Sequence, residues 1–285
     1  MTISSILVTY SPNVSQLKKC VYSLLSQVVK IIIVKNSPEN LDFSEFSGFS
    51  EKIIQIQLDK NYGIAYAQNR GIEAALASGS EWILLSDQDT VFPENYVESF
   101  KKKIEVFGKN KIYVPTFFNE VKNQKEPVSI SLSKSAVPSG VDAIPVVHAI
   151  ASGTIFSREV FEKIGGMKEN LFIDYVDFEF SWRARNFGIQ TLCFPDIEVQ
   201  HQLGDSFKKV FGKKITLRSK FRYFYILRNG FYLSKNCGYL SKSEKNQLKK
   251  RTLIFAIGII LISPKKSEAL KLVKKAVSEA KRMSK

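Results

Sequence analysis

The first 90 residues alternate between short apolar runs and segments of helical periodicity, and this order limits the possible folds. Each apolar run is rich in large aliphatic residues and ends at polar or turn residues, which is typical of a buried strand. Amphipathic or Ala-rich helices are predicted at residues 15–28 and 63–78. Strands that alternate with helices predict an α/β fold with a mostly parallel sheet and right-handed crossovers. The four predicted strands are residues 4–10, 30–34, 53–58 and 82–85.

The carboxyl ends of these predicted strands are all polar. In parallel sheets, ligands bind in the crevice outside the carboxyl ends of the strands, so we expect these ends to line one crevice. The polar ends are Thr9-Tyr10, Lys35-Asn36, residues 59–61 and residues 87–89.

Length and composition predict a globular protein with one large domain, or a domain with an appendage. The 285 residues are 44% hydrophobic and 12% aromatic, which is enough for a substantial core and unlike a disordered chain. Residues 2–10 read as a strand and not as a secretory signal. The three cysteines lack metal-like spacing, so reduced thiols and a cytoplasmic location are expected. With two histidines in the sequence, a site of several histidines is excluded.

The net charge of +15 is distributed unevenly along the chain. Residues 206–285 contain 22 Lys and Arg against three acids, whereas residues 1–205 contain 20 against 24. An acidic body with a basic tail predicts that the tail meets a polyanion or an anionic membrane surface.

Two carboxylates follow the fourth predicted strand, in the segment Ser86-Asp87-Gln88-Asp89-Thr90. Two acids that are one residue apart at a strand end can face the same crevice, where they would hold a hard divalent cation and its phosphates. The alternative interpretation is that both acids are solvated turn residues.

A second acidic cluster lies about 90 residues further on, where a loop is predicted to enter a helix over residues 172–185. Asp177 is placed to act there as a base toward a substrate. Alternatively, Asp177 is a first-turn acid that the helix dipole favours, and Arg183 only pairs with an acid one turn earlier. Transfer of a group from a nucleotide carrier requires at least a metal site that binds the diphosphate and a separate base.

The remaining segments complete the coarse secondary structure. Residues 110–150 are strand-like and interrupted by prolines, which predicts a long loop or hairpin. Strands are expected at residues 152–156 and 191–194, and a short helix at residues 160–164 before Gly165-Gly166.

The tail is predicted to be helical and basic. Residues 253–262 are ten apolar residues, too few for a bilayer span of about 20. A helix predicted to start at Ser263-Pro264 carries Leu270, Val273, Val277 and Ala280 on one face with basic residues around it. Such a helix either lies on an anionic membrane surface or packs on the domain through its apolar face.

Several short motifs occur in an order that is known from one family. They are residues 8–12 (VTYSP), 61–71 (NYGIAYAQNRG), 85–90 (LSDQDT), 151–153 (ASG), 172–179 (FIDYVDFE) with Arg183, 201–204 (HQLG) and Arg228-Asn229. From about residue 6 to residue 204 the chain resembles the family 2 inverting glycosyltransferases, which have a GT-A fold, and among them the bacterial rhamnosyltransferase-like branch.

The resemblance implies a role for each matching residue. Asp177 would be the catalytic base, Asp89 the ligand of Mg²⁺ or Mn²⁺, and Asp87 a neighbour of the ribose or metal. His201 would approach the metal or the diphosphate. The residues implied for nucleotide-sugar binding are Thr9, Tyr10, Asn36, Asn61, Gly63 and Asn69, with Gly63 allowing close backbone approach. The residues implied for the acceptor pocket or for support of the base are Gly153, Asp174, Glu179 and Arg183.

The sequence departs from the family at the end of the second strand. Family members usually carry an Asp there that contacts the nucleobase, whereas this chain has Lys35 before Asn36 and Ser37. A lysine is donor-only and cannot accept a hydrogen bond from a pyrimidine imide. Either Asn36 contacts the nucleobase instead, or recognition of the nucleobase is relaxed. The identity of the nucleotide is therefore left open.

The resemblance implies a metal-dependent inverting glycosyltransferase, peripheral on the inner face of the cell membrane. It would transfer L-rhamnose from dTDP-L-rhamnose to a lipid-linked saccharide acceptor during synthesis of a bacterial surface polysaccharide. The expected domains are a GT-A catalytic domain at residues 1–205, with a nucleotide-sugar half to about 110 and an acceptor half after it, and a basic helical region at residues 206–285. No nucleic-acid partner is expected. The alternatives are a UDP-hexose or UDP-galactofuranose donor, or a non-enzymatic polyanion-binding protein whose basic, aromatic tail stacks bases.

Overall fold

A computed structural model describes residues 1–38, 44–119, 123–200, 207–210, 213–216 and 218–284. Two short 3-10 helices cover Ser44–Phe49 and Glu169–Leu171. The strands are β1 Ile3–Thr9, β2 Lys30–Lys35, β3 Ile53–Gln57, β4 Trp82–Ser86, β5 Lys111–Asn119, β6 Gln124–Lys125, β7 Val128–Ser129, β8 Ser135–Ala136, β9 Ile144–Val146, β10 Ile155–Ser157, β11 Gln190–Gln200, β12 Phe207–Val210 and β13 Lys213–Thr216. The helices are α1 Val14–Leu25, α2 Ile64–Ala77, α3 Tyr96–Phe107, α4 Arg158–Ile164, α5 Val176–Asn186, α6 Lys220–Asn236, α7 Lys242–Ile262 and α8 Lys266–Arg282.

Within the described residues, nine strands form one sheet in the order β3-β2-β1-β4-β10-β5-β11-β9, with β6 paired to β5. The first four strands in this order are parallel to their neighbours, and so are β5 and β11. Three short strands run antiparallel to their neighbours: β10 between β4 and β5, β9 beside β11, and β6 beside β5. The carboxyl ends of β1 to β4 therefore lie at one edge, which confirms the predicted mostly parallel α/β fold.

The predicted strands and helices of the first 90 residues are observed with small differences at their ends. Strand β1 is buried along its whole length, because it lies between β2 and β4 and is covered on both faces. Helix α1 buries Leu17, Val21 and Leu24 against the sheet, and the Asn13 side chain accepts a hydrogen bond from the Gln16 amide at its N-terminus.

The segment after residue 110 is more regular than the sequence predicts. Strand β5 has nine residues and continues through Pro115. Inside a sheet, a proline is tolerated where the pairing of the strands is irregular. Pro115 lies opposite Phe194 in β11, just before the pairing of these two strands shifts register. The predicted strand at residues 191–194 is correspondingly longer and becomes β11.

The chain divides into two compact units. A larger unit comprises Met1–Phe172 and Val176–Gln202, and a C-terminal unit comprises Ile173–Tyr175 and Leu203–Lys285. The domain division expected at residue 205, and the two halves expected before it, stay predictions. What the sequence did not indicate is that three residues from the middle of the chain, Ile173–Tyr175, belong to the C-terminal unit.

In the C-terminal unit, α6 packs against both α7 and α8 around a small apolar core. The close crossing of α6 and α7 depends on Gly230, because a Cβ there would lie 2.9 Å from Cγ2 of Thr252. The hairpin β12–β13 precedes α6 in the chain and was not predicted. The core residues are Tyr223, Leu227, Ala256, Ile259, Ala269 and Ala276.

Helix α8 begins later than predicted. It starts at Lys266, because Ser263 bonds the amide of Lys265 in a turn that leaves Pro264 outside the helix. Ala269, Ala276 and Ala280 are buried. On the predicted apolar face, Val273 packs partly against the helical core, whereas Leu270 is 45% exposed. Part of this helix therefore packs on its neighbours, and its contact with a membrane stays a prediction. In the described part of the chain, no helix is both long enough and apolar enough to cross a bilayer.

Candidate active site

The Asp87-Gln88-Asp89 turn is attached to the end of β1 by the side chain of Gln88. Its Oε1 accepts a hydrogen bond from the Tyr10 amide at 2.9 Å, and its Nε2 donates to the Tyr10 carbonyl at 3.4 Å. Gln16 of α1 also donates to the Asp89 carbonyl at 3.2 Å. The side chain of Tyr10 itself is exposed. Gln88 therefore fixes the turn, a role that could not be assigned from the sequence.

Ser152 holds the same turn from the opposite side. Its buried hydroxyl lies 2.8 Å from the Thr90 hydroxyl and accepts a hydrogen bond from the Asp87 amide at 3.2 Å. Gly153 follows with a φ of 78°, and a Cβ there would lie 2.6 Å from the Tyr96 hydroxyl and 2.7 Å from the Pro115 ring. Gly153 is thus required for packing beneath the turn, and its implied part in the acceptor pocket stays a prediction.

A buried cysteine, Cys20, packs beneath the Asp87–Asp89 turn. Burial raises the pKa of Cys20 to about 12, and the nearby Ser86 hydroxyl and the Asp87 and Asp89 charges have smaller effects. The thiol is therefore neutral and lies 3.4 Å from the Asp87 carbonyl that it donates to. All three cysteines are free and buried, as expected for reduced thiols.

The two carboxylates of the turn differ in exposure. Asp87 is partly buried, whereas Asp89 is exposed, and no described residue donates a hydrogen bond to the Asp89 carboxylate. Hard oxygen ligands of this kind suit Mg²⁺ or Mn²⁺. Among the described residues, no group of three or more potential ligands of the His, Cys, Asp and Glu types is close enough to hold a metal by itself. His201 lies outside the described residues.

A network of two asparagines joins the ends of β2 and β3. The Asn36 amide donates to the Thr9 carbonyl at 2.8 Å, and its side chain donates to Asn61 Oδ1 at 3.1 Å. Asn36 Oδ1 accepts from the Tyr62 amide, and Asn61 Oδ1 accepts from the Gly63 amide, each at 2.9 Å. These bonds set the loop that leads into α2 at the same edge as the Asp87–Asp89 turn.

Thr9 and Lys35 lie side by side at this edge, as register partners at the ends of β1 and β2. Both are buried. The Thr9 hydroxyl has no hydrogen-bond partner among the described residues. A buried hydroxyl without a partner is costly, and a ligand group at this edge would satisfy it.

Gly63 permits a close approach, but the approaching group is part of the protein. A Cβ at Gly63 would lie 2.6 Å from the Phe172 carbonyl oxygen and 2.7 Å from the Phe172 ring. The Ala65 amide also donates to that carbonyl at 3.4 Å. Gly63 is therefore required by packing of the segment that leads to Asp177, and the approach to a nucleotide expected from the sequence stays a prediction.

Asn69 is occupied by the loop that follows α4. Its Nδ2 donates to the Met167 carbonyl at 3.0 Å and to Glu169 Oε1 at 2.8 Å, and its Oδ1 accepts from the Met167 amide at 2.7 Å. Both N–H groups are used, so the structure favours a positioning role over the nucleotide contact that the resemblance implies.

Glu179 and Arg183 form a buried ion pair inside α5. Arg183 donates to both carboxylate oxygens of Glu179, at 3.1 and 3.0 Å. Its remaining N–H groups donate to the carbonyls of Ile164, Gly165 and Gly166, which end α4. All five guanidinium donors are used, and the pair attaches α5 to the end of α4 as support for the helix that carries Asp177.

Asp177 lies in the first turn of α5, and its Oδ1 accepts a hydrogen bond from the Phe178 amide at 2.9 Å. The ring of Phe178 stacks on His148 with centroids 3.9 Å apart. Trp182, one turn further, donates from its indole to His148 Nδ1 at 3.2 Å. His148 therefore braces α5 beside Asp177, which the sequence did not indicate.

Asp174 is placed differently from the sequence prediction. It belongs to the C-terminal unit, where Arg222 of α6 bonds both of its carboxylate oxygens, at 2.8 and 2.5 Å. Its side chain is therefore committed to α6. Two residues, Tyr175 and Val176, separate it from Asp177 in the chain, and its implied support of α5 stays a prediction.

Comparison with known proteins identifies the family. The sequence profile of glycosyl transferase family 2 matches residues 4–165, more than half of the chain. The curated protein dTDP-rhamnosyl transferase RfbF of Shigella flexneri is 35% identical over 240 residues, which are 81% of this chain and 79% of that protein. The chain belongs to glycosyl transferase family 2 and is a glycosyltransferase, and the rhamnosyltransferase-like resemblance is confirmed.

Solved structures support the fold. S. aureus TarS, residues 1–349, has a TM-score of 0.63 at 14% identity, covering 98% of this chain and 81% of that one. GalNAc-T7, solved with UDP, GalNAc and Mn²⁺, has a TM-score of 0.57 at 14% identity. That match covers 88% of this chain and 54% of the GalNAc-T7 chain, about half its length. At these identities the likeness shows the fold alone, and it agrees with the predicted GT-A class.

We predict that Arg183→Met destabilises the protein by about 3–5 kcal/mol, because it leaves the Glu179 carboxylate buried without its main partner. Chemical unfolding of both proteins measures the difference. The matched control is Lys101→Met, which removes an exposed ion pair with Glu98 on α3 and should cost less than about 1 kcal/mol. Equal, small losses for the two variants would contradict the structural role of Arg183.

Proposed function

We propose that this glycosyltransferase transfers L-rhamnose from dTDP-L-rhamnose with inversion of the anomeric carbon. The donor assignment is supported by the 35% identity to dTDP-rhamnosyl transferase RfbF. The site assignment rests on one observation, the Asp87–Asp89 turn fixed by Gln88 and Ser152 at the carboxyl edge of β1 and β4. The Asn36–Asn61 pair lies at the same edge.

Asp89, with Asp87, would hold Mg²⁺ or Mn²⁺ at this turn. The exposed Asp89 carboxylate and the neighbouring Asp87 supply hard oxygen ligands, and donor phosphates and water would complete the shell. When bound, such a cation neutralises the charge that develops on the departing diphosphate. We retain His201 as a further proposed ligand.

Thr9, Tyr10, Asn36 and Asn61 are the residues that we assign to the nucleotide. The unsatisfied Thr9 hydroxyl and the polar ends of β1 to β3 support this assignment. Lys35, buried next to Thr9, can donate to a carbonyl oxygen of a pyrimidine but cannot accept from its imide. Because dTDP and UDP share these carbonyls, UDP-hexose and UDP-galactofuranose remain the competing donors.

Asp177 would act as the base. Its carboxylate would take the proton of the acceptor hydroxyl while the hydroxyl oxygen attacks the anomeric carbon. The bond from that carbon to the diphosphate oxygen breaks in the same step, and the diphosphate leaves with the electron pair. A single displacement inverts the anomeric centre without a covalent bond to the enzyme. Glu179, Arg183 and His148 position α5 for this step.

We predict that a donor screen finds dTDP-L-rhamnose turned over in preference to UDP-hexoses and UDP-galactofuranose. The readout is release of nucleoside diphosphate in the presence of Mg²⁺ or Mn²⁺. EDTA should abolish turnover, and added metal should restore it, because the proposed site has only two protein carboxylates. A protein that neither binds nor turns over any of these donors would contradict the proposed function.

We predict that Asp177→Asn and Asp89→Ala fail in different ways. Asp177→Asn should lower turnover by about 10²–10⁴-fold and leave donor binding nearly unchanged, since a general base acts on the acceptor. Asp89→Ala should weaken metal-dependent donor binding as well. Titration of the donor into each variant, with turnover measured separately, distinguishes the two. Wild-type turnover in Asp177→Asn would reject the base assignment.

We further propose that the acceptor is a lipid-linked saccharide and that the C-terminal unit binds the anionic inner face of the membrane. Helix α7 is the better candidate for this contact, because it exposes several large aliphatic side chains, whereas on α8 Leu270 is the exposed large one. Four aliphatic side chains on one side of α7 are 45–59% exposed. This α7 apolar face consists of Leu253, Ile254, Ile257 and Leu261.

Charge supports an anionic membrane as the partner of the α7 apolar face. Exposed lysines adjoin it at both ends, Lys249 and Lys250 before it and Lys265 and Lys266 after it. Residues 206–285 carry a large excess of basic side chains, so two copies meeting through this face would bring like charges together. The aromatic residues of α6 are less suited to binding polyanions by stacking, because Tyr223 is buried in the helical core.

We predict that the double variant Ile254→Ser and Ile257→Ser binds vesicles containing phosphatidylglycerol at least about tenfold more weakly. Burial of one isoleucine side chain is worth about 1.5–3 kcal/mol, so the loss of two is measurable by sedimentation with vesicles. The control is Val106→Ser, which removes an aliphatic side chain on α3 that is 77% exposed, more than either isoleucine, and that lies outside the C-terminal unit. Unchanged vesicle binding, or loss of a dimer in ultracentrifugation instead, would contradict this assignment.

A further inference from the structure

The segment that leads into the base-bearing helix has an unusual backbone. Phe172, Asp174 and Tyr175 have φ values of 64°, 64° and 66°, in the left-handed region that favours glycine. None of the three is a glycine, so the surrounding structure must hold this conformation. Asp177 follows Tyr175 by two residues, which places this turn directly before the proposed base.

Helix α6 supplies the groups that hold the turn. Arg222 bonds Asp174 through two N–H groups, with Nε to Oδ2 at 2.8 Å and Nη2 to Oδ1 at 2.5 Å. Asn229, two turns further along α6, donates to the carbonyls of Ile173 at 2.9 Å and of Asp174 at 2.8 Å. The Asn229 side chain is fully buried, and its Oδ1 accepts from Arg228 Nε at 2.9 Å.

Helix α7 lies beside the same turn. Burial raises the pKa of Tyr175, and Arg251 and Thr252 of α7 act on it in the opposite direction. Thr252 is itself buried and donates to the Leu248 carbonyl at 2.8 Å. Residues 173–175 are thus bonded to α6 through side chain and backbone, and Tyr175 is partly buried beside α7.

We propose that Arg222 and Asn229 are positioning residues for the reaction, which act by fixing the turn at residues 173–175 and hence where α5 begins. This inference rests on the proposed role of Asp177 as the base. A base must lie within hydrogen-bond reach of the hydroxyl that it deprotonates, and a displacement of about 1 Å can lower a rate by about 100-fold. If the bonds to α6 are lost, no other described contact of Asp174 replaces them, and the left-handed turn relaxes.

The same arrangement gives two residues of the basic region a function in catalysis. The two-pronged geometry of the Arg222–Asp174 pair needs a guanidinium, because a lysine offers one charged point instead of a planar fork. Arg222 is 37% exposed on its side chain, so its replacement is compatible with folding. This makes Arg222 the residue on which the proposal can be tested cleanly.

The test compares Arg222→Gln with Lys220→Gln in the full-length protein. Lys220, also on α6, pairs with Glu268 at 2.6 Å and makes no described contact with residues 173–175. We expect Arg222→Gln to lower kcat by about 10- to 100-fold, with the dissociation constant of the donor within about threefold of wild type, both measured well below the melting temperature of the variant. The melting temperature itself should fall, because Asp174 is 10% exposed and loses its charged partner. Lys220→Gln should leave all three quantities at wild-type values. Arg222→Lys should recover part of kcat.

A double variant separates positioning from a general loss of stability. If Arg222 acts through Asp174, then Asp174→Asn combined with Arg222→Gln should be no slower than the worse single variant. Wild-type kcat in Arg222→Gln, multiplicative losses in the double variant, or a loss of donor binding in step with the melting temperature would each overturn the proposal. Turnover in Asp177→Asn would instead overturn the base assignment, so the two failures are distinguishable.

Discussion

The parallel pairing of β1 with β2 on one side and β4 on the other is the constraint on which the rest of the site depends. Parallel pairing brings the carboxyl ends of neighbouring strands to one edge, so polar residues that are far apart in the chain become neighbours. The bonds of Gln88 to Tyr10 depend on this alignment, and the bond of Asn36 to Asn61 depends on the parallel pairing of β2 with β3. Strands β1, β2 and β4 are buried along almost their whole lengths, and the polar side chains of the candidate site follow where each of them ends.

A second set of contacts fixes the helix that carries the proposed base. Arg183 joins α5 to the end of α4, and Asn69 joins α2 to the loop just after α4. Both side chains are buried and fully used as donors, which makes the loop between them rigid compared with an exposed connection. A catalytic carboxylate must be held rigidly to stay within reach of an acceptor. Here the guanidinium of Arg183 and the amide of Asn69 supply that rigidity.

The sequence predicted the first half of the fold well because its signals are local. Short apolar runs mark β1 to β4 within one or two residues, and the acidic turn follows β4 as expected. The roles of Gln88 and Ser152 could not be predicted, since each bonds a partner 62–78 residues away and neither residue type is unusual in a loop. Gly63 was predicted to allow close approach to a nucleotide, which stays a prediction, and only the structure shows that Phe172 packs closely against it.

The C-terminal helices show a limit of pattern-based reasoning. An amphipathic helix has the same periodicity whether its apolar side meets a lipid surface or another helix, so the pattern of α8 could not decide between the two. The more uniformly apolar stretch in α7 has one side buried against α6 and the other side exposed. Because both sides are apolar, the sequence does not show which side is buried. Only the placement of α6 distinguishes the two helices.

The assignment of residues 173–175 to the C-terminal unit has a consequence for modularity. The chain enters that unit, returns to complete α5 and β11, and enters it again, so the two units are interleaved in sequence. A fragment that stops near residue 205 would keep the acidic turn but leave the bend before α5 without Arg222 and Asn229. If relatives exchanged their C-terminal regions, the exchanged piece would have to include residues 173–175 together with Arg222 and Asn229. The C-terminal unit and the segment before α5 are therefore expected to be inherited together.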